Sequence, residues 1–335
     1  MRIGVTYDLR SDYLAMGYGE EETAEFDSEV TIDVICEALT SLGWQVTRIG
    51  NVKALAESLV AGERWDAVFN FCEGLKGFAR EAQVPALLDA YDIPYVFSDA
   101  LTLALTLDKS MAKRVVRDCG IPTPDFAVIE RAADIRNVKL PYPLFLKPLA
   151  EGSGKGVNAK SKVDGPVALK RVAVELLARF QQPVLAETFL PGREFTVGIL
   201  GSADGARVLG VSEIRPKANW IGDGYGFENK DGNWQEKVDI IGADPASAKA
   251  AGEVALAAWR ALRCRDGGRV DIRNDAHGQP HFMEVNPVAG LRPGHSDMCF
   301  IAAREGLTYH DLIGRIMESF LERNPALGSR LRVAA

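Results

Sequence analysis

Histidine and cysteine are scarce in this chain, with four and five residues of 335. The cysteines (Cys36, Cys72, Cys119, Cys264 and Cys299) are odd in number, widely scattered and never in CxxC spacing. That excludes a disulfide framework and a cysteine-based zinc site, and all five read as buried or inert thiols. No apolar run approaches the ~18–20 residues that span a bilayer, and MRIGVTYDLR enters a strand directly, without a secretory h-region. A basic excess is also missing. The net charge of −7 has mixed signs, which leaves no footprint for nucleic acid. The expectation is a cytoplasmic, reduced protein with neither membrane nor nucleic-acid partner, in which local lysines and backbone amides must gather any anionic ligand.

The composition is 47% hydrophobic and 25% charged, that of an ordinary soluble protein, and the length calls for two or three lobes. Neither an internal repeat nor a low-complexity segment is present. In the first hundred residues strands (2–7, 44–49, 67–71, 93–97) alternate with helices (29–42, 52–61, 83–91). That alternation predicts a doubly wound parallel α/β sheet with ligand contacts at the carboxyl ends of its strands. Residues 12–25 read as a loop at such an end. One helix is predicted over 101–120, stopped by Gly120 and the Ile-Pro-Thr-Pro that follows. Short strands follow at 126–129 and 144–147, then a helix at 167–180 and strands at 184–188 and 194–200. The segment 219–233, rich in Gly, Asn and Asp, reads as a long mobile loop. Trp220, Tyr225, Phe227 and Trp234 would anchor it. A helix over 245–262, a strand pair at 269–274 and 281–285, and a helix from Thr308 complete the chain.

Three features carry the chemistry. Lys147 ends the strand YPLFLKP, and EGSGKGV follows it. Glycines at 152, 154 and 156 would let backbone amides approach phosphate oxygens, and the lysine would add a point charge. Taken alone, such a loop reads first as a turn between strands; it is neither a Walker loop nor a dinucleotide fingerprint. In VLAETFLPGREF, Glu187 and Glu194 flank Phe189-Leu190, which suits an apolar wall for a base and carboxylates for ribose hydroxyls. An ordinary surface hairpin would read the same. Asp271 in GRVDIRND and Glu284 with Asn286 in FMEVNP put three oxygen ligands on paired strands. Magnesium beside a triphosphate takes such a set, with phosphate and water completing the octahedron. Glu284 and Asn286 share a strand face, and Val285 points into the core.

In this order the motifs resemble the ATP-grasp superfamily, and within it the D-alanine–D-alanine ligase family. ALTLDKSMAKRVV, LFLKPLAEGSGKGV, VLAETFLPGREFTVGILG and GRVDIRNDAHGQPHFMEVNPVAGL carry the likeness, which spans nearly the whole chain. It implies a three-lobe fold: an N-terminal doubly wound parallel α/β lobe (1–100), a central α+β lobe (101–188) and a C-terminal α+β lobe (189–335). ATP would lie between the last two. By this resemblance Lys109, Lys147, Ser153 and Gly154 would contact the phosphates, and Lys230 would reach the γ-phosphate. Glu187, Leu190 and Glu194 would hold adenine and ribose. Asp271, Glu284 and Asn286 would bind two Mg²⁺ ions, with Mn²⁺ as a substitute. Arg269 and the Gly290 amide would stabilise an oxyanion, and Ser296 would help hold the second substrate's carboxylate. The implied reaction joins a carboxylate to an amine through an acyl phosphate, on amino-acid-type substrates, and a homodimer is compatible with it.

The substrate end departs from that family. TYDLRSDY stands where Gly-Gly-x-Ser is usual, and FNFCEGLKGFARE where His-Gly-x-x-Gly-Glu-Asp-Gly is usual. Asp231 replaces the tyrosine after the loop lysine. Glu29, Glu73 and Glu81 are therefore the candidate substrate carboxylates, with His295 beside Ser296 as a further contact. Changed recognition residues imply changed specificity. A ligase for another amino acid or peptide-like metabolite, and a non-catalytic ATP-binding sensor, are the alternatives.

Overall fold

The computed structural model describes every residue except 221, 224, 225, 227, 228, 230–233 and 335, and no side chain beyond 330. Strands β1 (Arg2–Tyr7), β2 (Gln45–Gly50), β3 (Ala67–Phe71) and β4 (Tyr95–Val96) form a parallel sheet in the order β2-β1-β3-β4. Every residue of β3 is buried, as in a parallel strand covered on both faces. Helices α1 (Arg10–Ala15), α2 (Glu29–Ser41), α3 (Val52–Val60) and α4 (Gln83–Ala90) connect these strands. The segment expected to be a loop thus begins with a turn and a half of helix. The fourth strand is shorter than its sequence suggests. Phe97 takes φ +75°, and its N–H donates to Asp266 at 2.7 Å, which leaves the sheet ladder.

The helix expected over 101–120 is two helices, α5 (Ala100–Leu107) and α6 (Lys109–Asp118). The break is at Asp108, whose ψ of 96° is not helical and whose carboxylate accepts from the amides of Ser110 and Met111 at 2.9 and 3.0 Å. An aspartate that satisfies the orphan amides of a new first turn restarts the helix on another axis. Lys109 becomes the first residue of α6. A second sheet follows, in the order β5-β8-β6-β7: β5 (Phe126–Ile129), β6 (Leu144–Pro148), β7 (Lys162–Val163) and β8 (Val184–Thr188). Helix α7 (Pro166–Phe180) packs Leu169, Val172 and Leu176 onto it.

The third sheet is antiparallel, ordered β11-β10-β9-β12-β13: β9 (Glu194–Leu200), β10 (Arg207–Pro216), β11 (Val238–Gly242), β12 (Gly267–Asn274) and β13 (Pro280–Asn286). Helix α8 (Pro245–Ala261) covers it, and α9 (Asp297–Arg304), α10 (Tyr309–Glu322) and α11 (Pro325–Ala334) end the chain. One apolar core joins the first sheet to the last helices: Ile3, Ile35 and Phe69 share it with Leu312, Ile316 and Phe320. Asp266, fully buried, ties the same junction by accepting from Phe97, Ser319 and Arg323. No described helix is long and apolar enough to cross a membrane. Four cysteines are buried or half-buried, but Cys119, at the exposed end of α6, faces solvent.

Candidate active site

Two clefts meet on the β12–β13 pair. Alternate residues of β12 face outward, so Arg273, Asp271 and Arg269 form a row spaced by two residues, roughly 6.6 Å per step. Opposite them the register slips. Asp271 pairs with Glu284 but Ile272 pairs with Phe282, which bulges Met283 out of the ladder. Met283 and Glu284 consequently both line the cleft, a common use of a bulge beside a site. Met283 could not be found from alternation alone.

The first cleft encloses about 840 Å³ between the second and third sheets. Its apolar wall is Phe145, Phe189, Leu190 and Met283. The Phe145 and Phe189 rings stack at 6.3 Å, and the Lys162 and Arg273 cations sit 4.5 and 5.1 Å from the Phe189 centroid. Glu194 lies on the rim, paired with Arg273 at 3.3 Å. The floor is a row of alternating charges. Lys113 lies 3.0 Å from Glu187, Glu187 3.1 Å from Lys147, Lys147 3.5 Å from Glu284, and Glu284 3.8 Å from Lys109. Burial opposes ionisation of Glu187, yet Lys113 and Lys147 outweigh it and hold the carboxyl below its ordinary range. The sequence reading gives this carboxylate to a nucleoside; in the structure both its oxygens are committed to lysines. Lys113 was not singled out in the sequence, because a lysine inside an amphipathic helix looks like any solvated one.

The glycine loop separates the clefts. Ser153 and Gly154 take φ +51° and +71°, and Lys109 donates to the Glu151 carbonyl. Gly156 serves packing, since a Cβ there would meet Pro148 and Phe180 at 2.6 and 2.8 Å. Gly152 donates its amide to Glu25, whose carboxylate also pairs with Arg80 at 3.0 Å and Lys155 at 3.2 Å. This buried network, absent from the sequence reading, fastens the loop to the first layer. Burial raises the Glu25 pKa, but Arg80 and Lys155 prevail and lower it.

The second cleft, about 1200 Å³ in empty volume, brings together Arg269, Asn286, Gly290, Ser296, Ser153, Glu73 and Glu81. Arg269 pairs with Asp297 at 2.5 Å and reaches Asp271 at 3.9 Å. Ser296 accepts from the Arg292 amide at 3.0 Å, and a Cβ on Gly290 would press on its Oγ at 2.9 Å. His295 lines the same cleft, as does Trp234, which packs on Phe300 at 5.6 Å. Glu29 is not part of it. It is exposed at the start of α2 and paired with Arg48 at 2.7 Å, and the carboxylates that do face the cleft from that segment are Glu25 and Asp27. Burial pushes Asp27 up to about 7 and Glu81 to about 7. Burial, reinforced by the neighbouring Glu81 charge, raises Glu73 well above the carboxylate range. Lys230, Tyr225, Phe227 and Asp231 lie outside the described residues, as does much of 219–233.

Asp271, Glu284 and Asn286 stand together where the clefts meet. Asp271 accepts from Thr196 at 2.9 Å, and the Asn286 amide oxygen accepts from the Val288 amide at 3.2 Å. Among the described residues no three His, Cys, Asp or Glu side chains converge on one point. Two carboxylates and an amide oxygen are hard oxygen donors, a set that suits a hard cation drawing its remaining ligands from phosphate and water.

Known proteins resemble this chain in sequence and fold. The model for the D-ala D-ala ligase C-terminus matches residues 115–318. D-alanine–D-alanine ligase B of Xanthomonas campestris is 32% identical over 293 residues, 86% of this chain and 88% of that protein. The chain belongs to the D-alanine–D-alanine ligase family. The Bordetella pertussis D-alanine–D-alanine ligase is 38% identical over 271 residues, covering 79% of this chain and 81% of its own. The fold is shared with a crystal structure of the Bacillus anthracis D-alanine–D-alanine ligase complexed with ATP. Its TM-score is 0.68 at 21% identity, over 97% of this chain and 99% of that one. As a member of this family with the ATP-grasp fold, the chain is an ATP-dependent, ADP-forming ligase, and the sensor alternative is set aside.

Proposed function

We propose that this ligase joins two amino acids into a dipeptide, with ATP in the first cleft and both amino acids in the second; the names of the relatives make D-alanine the first substrate to test. The observation that carries the reading is the row Arg273, Asp271, Arg269, which runs from the apolar cleft to the polar one across a seam of oxygen ligands.

Leu190, Met283 and the two phenylalanines receive the adenine, and Glu194 a ribose hydroxyl. Lys109, Lys147 and the Ser153–Gly154 backbone hold the phosphates. Lys230 is assigned to the γ-phosphate by its motif alone. Asp271, Glu284 and Asn286 would hold Mg²⁺, which offsets charge on the transferring phosphoryl group. The donor carboxylate bonds to the γ-phosphorus as the bridging β–γ oxygen leaves with ADP. The acceptor's neutral amine then bonds to the acyl carbon, and phosphate departs with the proton the amine gives up. Arg269, aimed by Asp297, and the Gly290 amide face the oxygen that gains charge in that step. Arg292 and Ser296 suit the acceptor carboxylate, and Asp27 the donor ammonium.

A different amino acid is the second reading. It is favoured by Glu73 and Glu81, which make no ion pair or hydrogen bond with a described residue and face the substrate cleft. Phosphate release with ATP, Mg²⁺ and a panel of D- and L-amino acids tests both. Release with D-alanine alone supports the first reading, release only with another acid or amine supports the second, and no release with any pair refutes ligase action on amino acids.

A further inference from the structure

Among the described residues, Lys113 is the one fully buried lysine that no step above uses. It comes from the second turn of α6 and reaches 3.0 Å from Glu187, 3.1 Å from the Thr123 hydroxyl and 3.4 Å from the Phe282 carbonyl. It does not line the nucleotide cleft, whereas Glu187 and Lys147 do. Glu187 is equally buried and touches one lysine with each oxygen. A carboxylate out of water draws the nearest cation strongly. If Lys147 were its sole partner, Lys147 would be pulled back toward β8, away from Glu284 and the phosphates.

We infer that Lys113 is a positioning residue for ATP: by sharing the charge of Glu187 it leaves Lys147 extended into the cleft, between Glu187 and Glu284. This rests on the reading of the first cleft as the nucleotide site. Lys113 and Glu187 then act as a pair behind the phosphate lysine, and neither touches the reacting atoms. The sequence order, with Lys109 and Lys113 four apart on α6, puts one lysine on the cleft and the other one turn deeper.

The test compares Lys113→Met, Glu187→Gln and the double variant in the full-length enzyme, under steady-state turnover, with thermal midpoints recorded alongside. Wild-type turnover is measured first and tests the ligase reading by itself. Lys113→Met is expected to raise KM for ATP at least tenfold while KM for the amino acid moves less than twofold. In the Glu187→Gln background, the same Lys113→Met change is expected to move KM for ATP less than twofold, because no buried carboxylate remains to recapture Lys147. An unchanged KM for ATP in Lys113→Met overturns the inference. So does a parallel fall in all kinetic constants that follows the thermal midpoint, the mark of a merely structural lysine. Should Lys113→Met fail to fold, the double variant against Glu187→Gln still decides: a tenfold gap in KM for ATP between them means Lys113 does not act through Glu187.

Discussion

Glu284 sits 3.5 Å from Lys147 and 3.8 Å from Lys109, ion pairs that an entering cation and phosphate would replace. Its replacement by glutamine is expected to abolish phosphate release while the unfolding midpoint stays within a few degrees, because the side chain is on the cleft and not in the core. Near-normal turnover would remove it from the metal site. Arg269→Ala is expected to lower kcat by ~10²–10³ with KM for ATP nearly constant, the usual cost of losing one preaimed oxyanion donor. Glu81 supplies a pH-dependent prediction. Its folded pKa, raised by burial to about 7, lies above the ordinary value of ~4.3, so between those pH values the folded state holds the extra proton. Stability from this group is therefore present at low pH and lost as pH rises toward 7. Glu81→Gln should stabilise the ligand-free protein at pH 8 by about 1–3 kcal/mol and give no gain near pH 4. Urea unfolding at both values measures it.

At the scale of elements, the interruption at Asp108 decides where Lys109 points. Asp108→Ala removes a cap that holds two amides, and should cost about 1 kcal/mol in urea unfolding and raise KM for ATP, since the first turn of α6 carries that lysine. An unchanged KM would mean that the helix start is fixed by packing alone. The break was not legible in ALTLALTLDKSMAKRVV, where apolar spacing runs on without a glycine or proline and aspartate passes for a surface residue. The strands bearing Lys147, Glu187, Asp271 and Glu284 were legible, because short apolar or alternating runs bounded by turns leave few alternatives. Strand β10 was not, since VLGVSEIRP carries a glycine and charges, and its pairing with β9 is a long-range fact. The bulge at Met283 likewise depends on which residue of β12 stands opposite. Glu29 read as a substrate contact because it is one of three acids, with Glu25 and Asp27, that follow the first strand, where the family carries a substrate-binding glutamate; the structure brings Glu25 and Asp27 to the cleft instead.

Across the whole molecule the first sheet and the last helices form one body, joined by a shared core and by Asp266, whose carboxylate takes bonds of 2.9 and 2.7 Å from Arg323. The second sheet attaches to that body through Glu25, Arg80 and Lys155 beside the glycine loop. Arg323→Ala leaves Asp266 buried without its main partner and is expected to cost about 3–5 kcal/mol in urea unfolding. A loss below 1 kcal/mol would show that the core alone carries the junction. On the proposed function, the residue order along β12 makes the seam between the clefts the place where nucleotide, metal and amino acid meet. Anomalous diffraction from Mn²⁺ in crystals grown with a non-hydrolysable ATP analogue examines that seam directly. The account predicts metal peaks within coordination distance of Asp271, Glu284 and Asn286, with the phosphates lying between them and Lys147. Metal and phosphates found elsewhere, with those three side chains touching neither, would contradict it.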